Sequence, residues 1–320
     1  MNMRSVNVIE GGRSVPCGRF DLSLSTLGYE RRSTYLARTF PDISNQKTSL
    51  AFPEEDYASY MENRDILEKL GHRIVPYDRD ALAGTISNEL NRVAPLRGGE
   101  ALRLMIDISS MDRPLIARTV ESLRSTPVGS DIDATFVYCP AQYVAPNHDH
   151  APVAVSEPVI PEFAGWTAFP GRPITAVVGA GYERDLALGA LEFLEPASAW
   201  AFFPTGEDQR YDRAVEAANK PLREILPEGN ILEYDVKEPL GCLVHLEGLV
   251  YGLVQNSRTI LLPFGPKVFF LSCILVASIH APSVTVWRVS GEKNFRPGDR
   301  IESGSVVTLR VMFTQPRVSS

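Results

Sequence analysis

Short apolar runs and longer amphipathic stretches take turns along this chain. Residues 20–27 alternate apolar side chains with Ser and Thr, the period-two signature of a strand, and a helix is expected after Gly28 through residue 38. A second strand is expected at 47–52. From Pro53 a helix is expected to run to Gly71, with acidic residues in its first turn and glycine at its stop. A third strand at 72–77 and a helix at 81–93 follow, closed by Pro95 and the Gly98-Gly99 turn. Residues 102–108 are apolar on both faces, as buried parallel strands tend to be. A helix at 112–124, with Pro114 in its first turn, and a strand at 135–139 complete the series.

The pattern then stops and restarts. Residues 141–172 hold five spaced prolines and no periodicity, and are read as a Pro-rich linker, long enough that part of it packs over a domain face. Strands at 174–178, 198–203, 230–235, 258–262 and 284–289 alternate with helices at 184–194, 208–226, 241–254 and 267–280. Residues 1–19 read as an irregular lead-in, and 291–320 as a C-terminal β extension with an alternating stretch at 305–313.

The two series also share words. Gly28-Tyr29-Glu30-Arg31 returns as Gly181-Tyr182-Glu183-Arg184, an offset of 153. Leu50-Ala-Phe-Pro53 pairs with Ala201-Phe-Phe-Pro204, and Val75-Pro-Tyr-Asp78 with Leu232-Glu-Tyr-Asp235. Leu104-Met-Ile-Asp-Ile108 with its loop to Arg113 pairs with Thr259-Ile-Leu-Leu262 with its loop to Lys267, and Thr135-Phe-Val-Tyr138 with Thr285-Val-Trp287. Collinear matches at a near-constant offset mark a duplicated unit. Strands alternating with helices call for parallel sheets covered on both sides. The expected fold is therefore α/β: two tandem Rossmann-like units with mainly parallel sheets, the first at 1–140 and the second at 173–290.

Composition narrows the class. A chain of 320 residues, 44% apolar and 22% charged, suits two soluble domains. The net charge of −7 argues against extended duplex DNA binding. Four scattered cysteines without a C-x-x-C, Cys139 and Cys273 lying in apolar runs, suit a reducing cytoplasm. The most apolar stretch, 268–281, is short for a membrane span, and the N-terminus lacks an apolar leader, so the expectation is a cytoplasmic protein with no membrane partner.

Open parallel sheets bind ligands beyond the carboxyl ends of their strands, where strand order reverses. The loops after the first and fourth strands of each series are the ones the duplication keeps. Ser109, Ser110 and Arg113 in one series, and Gly265 and Lys267 in the other, put small residues and one cation at a helix start, a candidate cradle for phosphate or carboxylate. The alternative is a tight turn with an N-cap serine and a solvated basic residue. Gly28 and Gly181 permit close approach, Tyr29 and Tyr182 are candidates to stack on a base, and Arg31 and Arg184 to meet a phosphate; the alternative is a Glu–Arg brace at the helix start. Glu30, Asp107 and Glu183 are the candidate catalytic carboxylates, and by sequence offset Asp107 stands opposite Leu261. Gly179-Ala-Gly181 lacks the third glycine of a dinucleotide fingerprint, so no cofactor is expected. His148-Asp149-His150 lacks further ligands nearby, and no metal is expected.

Asp107-Ile-Ser-Ser-Met-Asp-Arg113 and Phe264-Gly-Pro-Lys267 resemble the two parts of the fourth-strand motif of the CRISPR-associated Rossmann-fold (CARF-like) sensor domains. The resemblance covers two short loops per unit. It implies cyclic oligoadenylate held at the loops after the first and fourth strands, and a role in antiviral defence; the nuclease usually appended in that family is not expected within these 320 residues. The function expected is a binding module that recognises a nucleotide or oligonucleotide and relays it to a protein partner, with a homo-oligomer compatible. The alternatives are a nucleotide hydrolase or N-glycosidase, or a structural subunit without a ligand.

Overall fold

The structure, a computed structural model, describes residues 3–15, 18–53, 57–78, 82–145, 153–291 and 298–316. Cys17 and the His148-Asp149-His150 cluster lie outside the described residues. The chain divides into two compact units: Met1–Gln142 with Pro297–Ser320, and Tyr143–Arg296.

In unit 1 the strands are β1 (Ser5–Gly12), β2 (Phe20–Leu27), β3 (Ser44–Ala51), β4 (Arg73–Pro76), β5 (Leu102–Asp107) and β6 (Ile132–Tyr138). A 3-10 turn (Arg31–Thr34) leads into α1 (Tyr35–Thr39); α2 (Tyr60–Lys69), α3 (Leu82–Val93) and α4 (Arg113–Ser125) follow their strands. Unit 2 has β7 (Val153–Pro158), β8 (Ile174–Gly179), β9 (Ser198–Thr205), β10 (Ile231–Asp235), β11 (Arg258–Pro263) and β12 (Val284–Gly291). Its helices are α5 (Leu186–Leu194), α6 (Gln209–Ala218), α7 (Lys220–Ile225), α8 (Pro239–Leu253) and α9 (Lys267–Ile279). The last strand, β13 (Val307–Thr314), belongs to unit 1.

Among the described residues the sheets run β1-β13-β6-β5-β2-β3-β4 and β10-β9-β8-β11-β12-β7. Five consecutive strands in each, β4-β3-β2-β5-β6 and β10-β9-β8-β11-β12, are parallel. Both have the doubly wound order in which the first strand of the series lies between the second and the fourth. The chain is thus α/β, with two Rossmann-like units carrying one duplicated topology.

Several segments differ from expectation. The lead-in contains β1 and the C-terminal extension supplies β13, which pairs antiparallel with both β1 and β6. Their pairing joins opposite ends of the chain, so no local pattern announces it. Arg4, just before β1, donates to the carbonyls of Leu123, Thr126, Val128 and Ser130 and fixes that end in place. The Pro-rich segment carries β7, antiparallel on the β12 edge, and a short turn that buries Val159, Ile160 and Phe163. Helix α2 starts at Tyr60 rather than after Pro53; 54–56 are not among the described residues. The helix expected at 208–226 is two helices. They break at Asn219, where Pro221 follows and the Asn219 amide turns back onto the Val215 carbonyl.

Unit 2 keeps a wholly apolar core beneath α5, built from Ala176, Val178, Ala201, Phe203, Leu262 and Leu191. On the α1 side of unit 1 the apolar residues form two separate groups instead, one around Phe20, Leu36 and Met105 and one around Leu27, Tyr60 and Leu67. Cys139, Cys242 and Cys273 are buried free thiols. Among the described residues no helix is long and apolar enough to cross a membrane.

Candidate functional site

Strand order reverses between β2 and β5 in unit 1 and between β8 and β11 in unit 2, and each reversal brings two of the singled-out loops together. Residues 28–31 thus neighbour 108–113, and 180–184 neighbour 264–267. The two corners share a frame and differ in charge.

In unit 1 the corner is closed by its own carboxylates. Glu30 accepts from Arg32 Nε at 2.7 Å and from Ser110 Oγ at 3.4 Å. Arg32 is 6% exposed and also donates to the Cys139 carbonyl. Burial alone would lower the guanidinium's pKa; the Glu30 carboxylate and the Tyr138 phenol outweigh that and hold it above its ordinary value. Arg31 lies exposed, its side chain paired with Asp299 at 3.0 Å and its main-chain N–H donating to the same carboxylate. Asp112 caps α4 by accepting from the Leu115 N–H at 2.8 Å, which places a negative charge where the helix would attract an anion.

Asp107 is 3% exposed and accepts from the Ser109 N–H, while Ser109 Oγ accepts from the Cys139 N–H. Burial pushes the Cys139 thiol up to about 11, as befits a core residue rather than a nucleophile. Tyr29 is half-buried, edge-on to Tyr57 at 5.4 Å, its phenol pKa raised by burial and by Glu30. Gly28 is not forced by close packing: a Cβ there would meet Phe52 at an ordinary 3.8 Å.

The corner of unit 2 is built by main-chain contact. A Cβ on Gly181 would lie 2.8 Å from the Phe264 carbonyl oxygen, and one on Gly265 would lie 2.7 Å from that of Ala180. The close approach for which both glycines were singled out is therefore between the two loops themselves. Glu183 is exposed, and Arg184 is exposed beside Asp185, with which it pairs at 3.2 Å. Tyr182 packs on the unit's core and near Tyr211, which also meets Tyr143 edge-on at 5.0 Å. Helix α9 begins at Lys267 after Pro266 with no side-chain cap. Arg113 and Lys267 both open the helix after the fourth strand of their series.

Ladder register corrects two equivalences. Ser25 pairs with Ser49 and Val178 with Ala201, so Ala201 stands at the place of Ser49 rather than Leu50. Ser23 pairs with Met105 and Ala176 with Ile260, so Asp107 stands at the place of Leu262, not Leu261. The structure brings Glu30 and Asp107 to one corner and leaves Glu183 on the other.

Two residues that hold these loops were missed. Asn63 donates to the carbonyls of Gly28 and Glu30 at 2.8 and 2.9 Å, and Asn219 donates to that of Gly181 at 2.6 Å; they are 2% and 3% exposed. Their signal lies in the sequence, since Asn63-Arg-x-Ile-x-Glu-x-Leu70 returns as Asn219-Lys-x-Leu-x-Glu-x-Leu226 at an offset of 156, in order with the other matches. Tyr57 and Tyr211 form a second missed pair, each beside the tyrosine of its loop. Among the described residues no group of three or more His, Cys, Asp or Glu is placed to hold a metal.

No family model matches the chain, and no curated protein matches it. Among solved structures it is similar to a universal stress protein from Pseudomonas aeruginosa UCBPP-PA14 (9% identity over 84% of this chain and 92% of that one, TM-score 0.24). It is also similar to the cytoplasmic domain of a prokaryotic cation chloride cotransporter (11% identity, 86% and 96%, TM-score 0.26). A third likeness is to leucoanthocyanidin reductase from Vitis vinifera, solved with NADPH (11% identity, 84% and 92%, TM-score 0.27). At these scores the likenesses bear on neither fold nor ligand, and the fold rests on the strand order above.

Proposed function

We propose that this protein is a nucleotide-binding module and that the ligand's phosphate sits at the corner of unit 2, between β8 and β11. The observation that carries this reading is the contrast between the two helix starts at the corners. Helix α4 is capped by Asp112, whereas α9 starts without a side-chain cap, behind Gly265 and with Lys267 as its first residue. An uncapped helix start at a strand-order reversal, with one cation, suits an anion. The finer reading follows the loop resemblance: a sensor of a nucleotide or oligonucleotide signal, acting in antiviral defence through a protein partner.

Calorimetric titration with AMP and with short oligoadenylates tests it. Binding is expected in the wild type, at least tenfold weaker in Lys267→Ala and little changed in Arg113→Ala. Equal affinity in the wild type and Lys267→Ala, or no binding to either ligand, overturns the proposal. The enzymatic alternative rests on Glu30 and Asp107, of which the first is ion-paired and the second buried. Turnover of the nucleotide, followed by mass spectrometry, would favour that alternative.

A further inference from the structure

Beneath the 3-10 turn and α1, the middle of unit 1's sheet is polar. His72, just before β4, lies 2.8 Å through its Nδ1 from Ser49 Oγ on β3. Ser49 Oγ lies 2.8 Å from Ser25 Oγ on β2. Asp107, on β5, is one rung beyond the pairing of Leu24 on β2 with Ile106, and therefore next to Ser25 on the same side of the sheet. Ser25 and Asp107 line a cavity of about 10 Å³, the size of a single water. Ser33, in the turn above, lines the same cavity; it is 2% exposed and its Oγ has no hydrogen-bond partner. A buried hydroxyl left unpaired is costly, so a guest at that point is favoured.

The lining also decides what kind of guest fits. Its titratable groups are Lys47 on β3, His72 beside β4 and Asp107 on β5; the turn, α1 and the loop after it add none. The Lys47 ammonium donates to the Leu70 carbonyl at 2.9 Å. One cation and one carboxylate balance, and burial together with Lys47 holds His72 neutral near pH 7, its pKa lowered to about 4. A neutral dipole suits such a lining better than an ion.

Unit 2 shows that the fold does not require this arrangement. By register, Ser25, Ser49 and Asp107 correspond to Val178, Ala201 and Leu262, and His72 to Gly229. By offset from the shared tetrapeptide, Ser33 corresponds to Leu186.

We propose that Ser33, Ser25 and Asp107 hold one buried water, completing a proton-conducting chain Asp107–water–Ser25–Ser49–His72 from the unit 1 corner across four strands to the far end of the sheet. Each member accepts one proton and passes one on. A proton taken up at His72 Nε2 releases the Nδ1 proton to Ser49, and the last transfer protonates Asp107. One proton moves and no electrons do. Asp107 holds the Ser109 N–H, so the proton loosens the corner loop.

With Asp107 ionised, every hydrogen bond in the chain points toward it, and neutral His72 must carry its proton on Nδ1. Nitrogen-15 NMR of the labelled full-length protein at neutral pH reads that tautomer directly. The expected result is the Nδ1–H form in the wild type and in Ser23→Ala, whose hydroxyl lies off the chain and bonds Ser44. In Ser25→Ala and Asp107→Asn the proton should move to Nε2. Wild-type protein in the Nε2–H form, or a Ser25→Ala variant unchanged from it, overturns the proposal. Ser25→Ala, the smaller change, decides the matter if Asp107→Asn does not fold. A long-lived buried-water signal that disappears in Ser33→Val, but persists in Ser44→Ala, whose hydroxyl bonds Ser23 and does not line the cavity, is the second expected result; its absence in the wild type also overturns the proposal.

Discussion

Ser23, Ser25, Ser49 and Asp107 stand in unit 1 where Ala176, Val178, Ala201 and Leu262 stand in unit 2, on the same strands of the same doubly wound sheet. The helices above differ to match. Helix α5 runs nine residues and buries Ala187, Ala190 and Leu191 against an apolar face. Helix α1 runs five and buries only Leu36, over a face whose hydroxyls bond one another, Ser25 to Ser49 and Ser44 to Ser23. One topology therefore tolerates either material, provided the buried polar atoms find partners. The architecture follows from which segments are strands and in what order they pair, and the chemistry of one face is free to serve another purpose.

The strongest way to break this comparison is to write the unit 1 carboxylate into unit 2. Leu262→Asp places an acid in an apolar core and should cost about 5 kcal/mol or more, enough to unfold unit 2. Native hydrogen-exchange protection of β8 and β11 in that variant would refute the idea that the unit 2 face depends on being apolar. Next comes Glu30→Ala, which leaves Arg32 buried without its carboxylate and should cost about 3 kcal/mol. Its counterpart Glu183→Ala, at an exposed position, should stay within about 0.5 kcal/mol. Urea denaturation of the two variants distinguishes the corners, and equal losses would erase the difference between them.

Asn63→Ala and Asn219→Ala test what the units share. Each removes a buried amide from the carbonyls of its loop and should cost about 1–3 kcal/mol, with similar values in both. A loss confined to one unit would mean that the loop clamp is not a common device. The last expected effect is one of pH. The folded-state pKa of His72 is depressed to about 4 from an ordinary value of about 6.5, so its contribution is complete above the unfolded value. Stability should fall as pH drops from about 6.5 toward 4, because the unfolded chain takes up the proton first. His72→Gln should remove that part of the slope. If denaturation midpoints of the variant fall as steeply as those of the wild type, another group is responsible.

The alternation of apolar runs and amphipathic stretches, together with the repeated tetrapeptide, is enough to place both parallel series and both loop pairs. What it cannot register is pairing at long range. β1 and β13 meet from opposite ends of the chain, and β7 lies in a stretch whose prolines mask its strand character. The serines of 20–27 mark the strand but not its surroundings. Alternation with Leu usually marks a strand wet on one side, yet all eight residues of β2 are buried, because His72 and the neighbouring hydroxyls replace the solvent. Glycine is ambiguous for a similar reason: at 181 and 265 it admits a neighbouring loop as readily as it would a ligand. Asn63 and Asn219 are legible only as a pair, since one amide in a polar helix stretch carries no signal until its twin is aligned.

Among the described residues unit 1 holds both the first strand and the last, with β13 seated between β1 and β6. On the ribosome, β6 therefore emerges with one edge bare and must wait while the whole of unit 2 is made. At ordinary elongation rates that wait is on the order of ten to thirty seconds. Throughout it, a strand carrying Ala134 and Phe136 offers its open edge to any other nascent chain. Unit 2 can finish its own sheet first, so the insertion makes the later-encoded half of the protein the earlier one to mature.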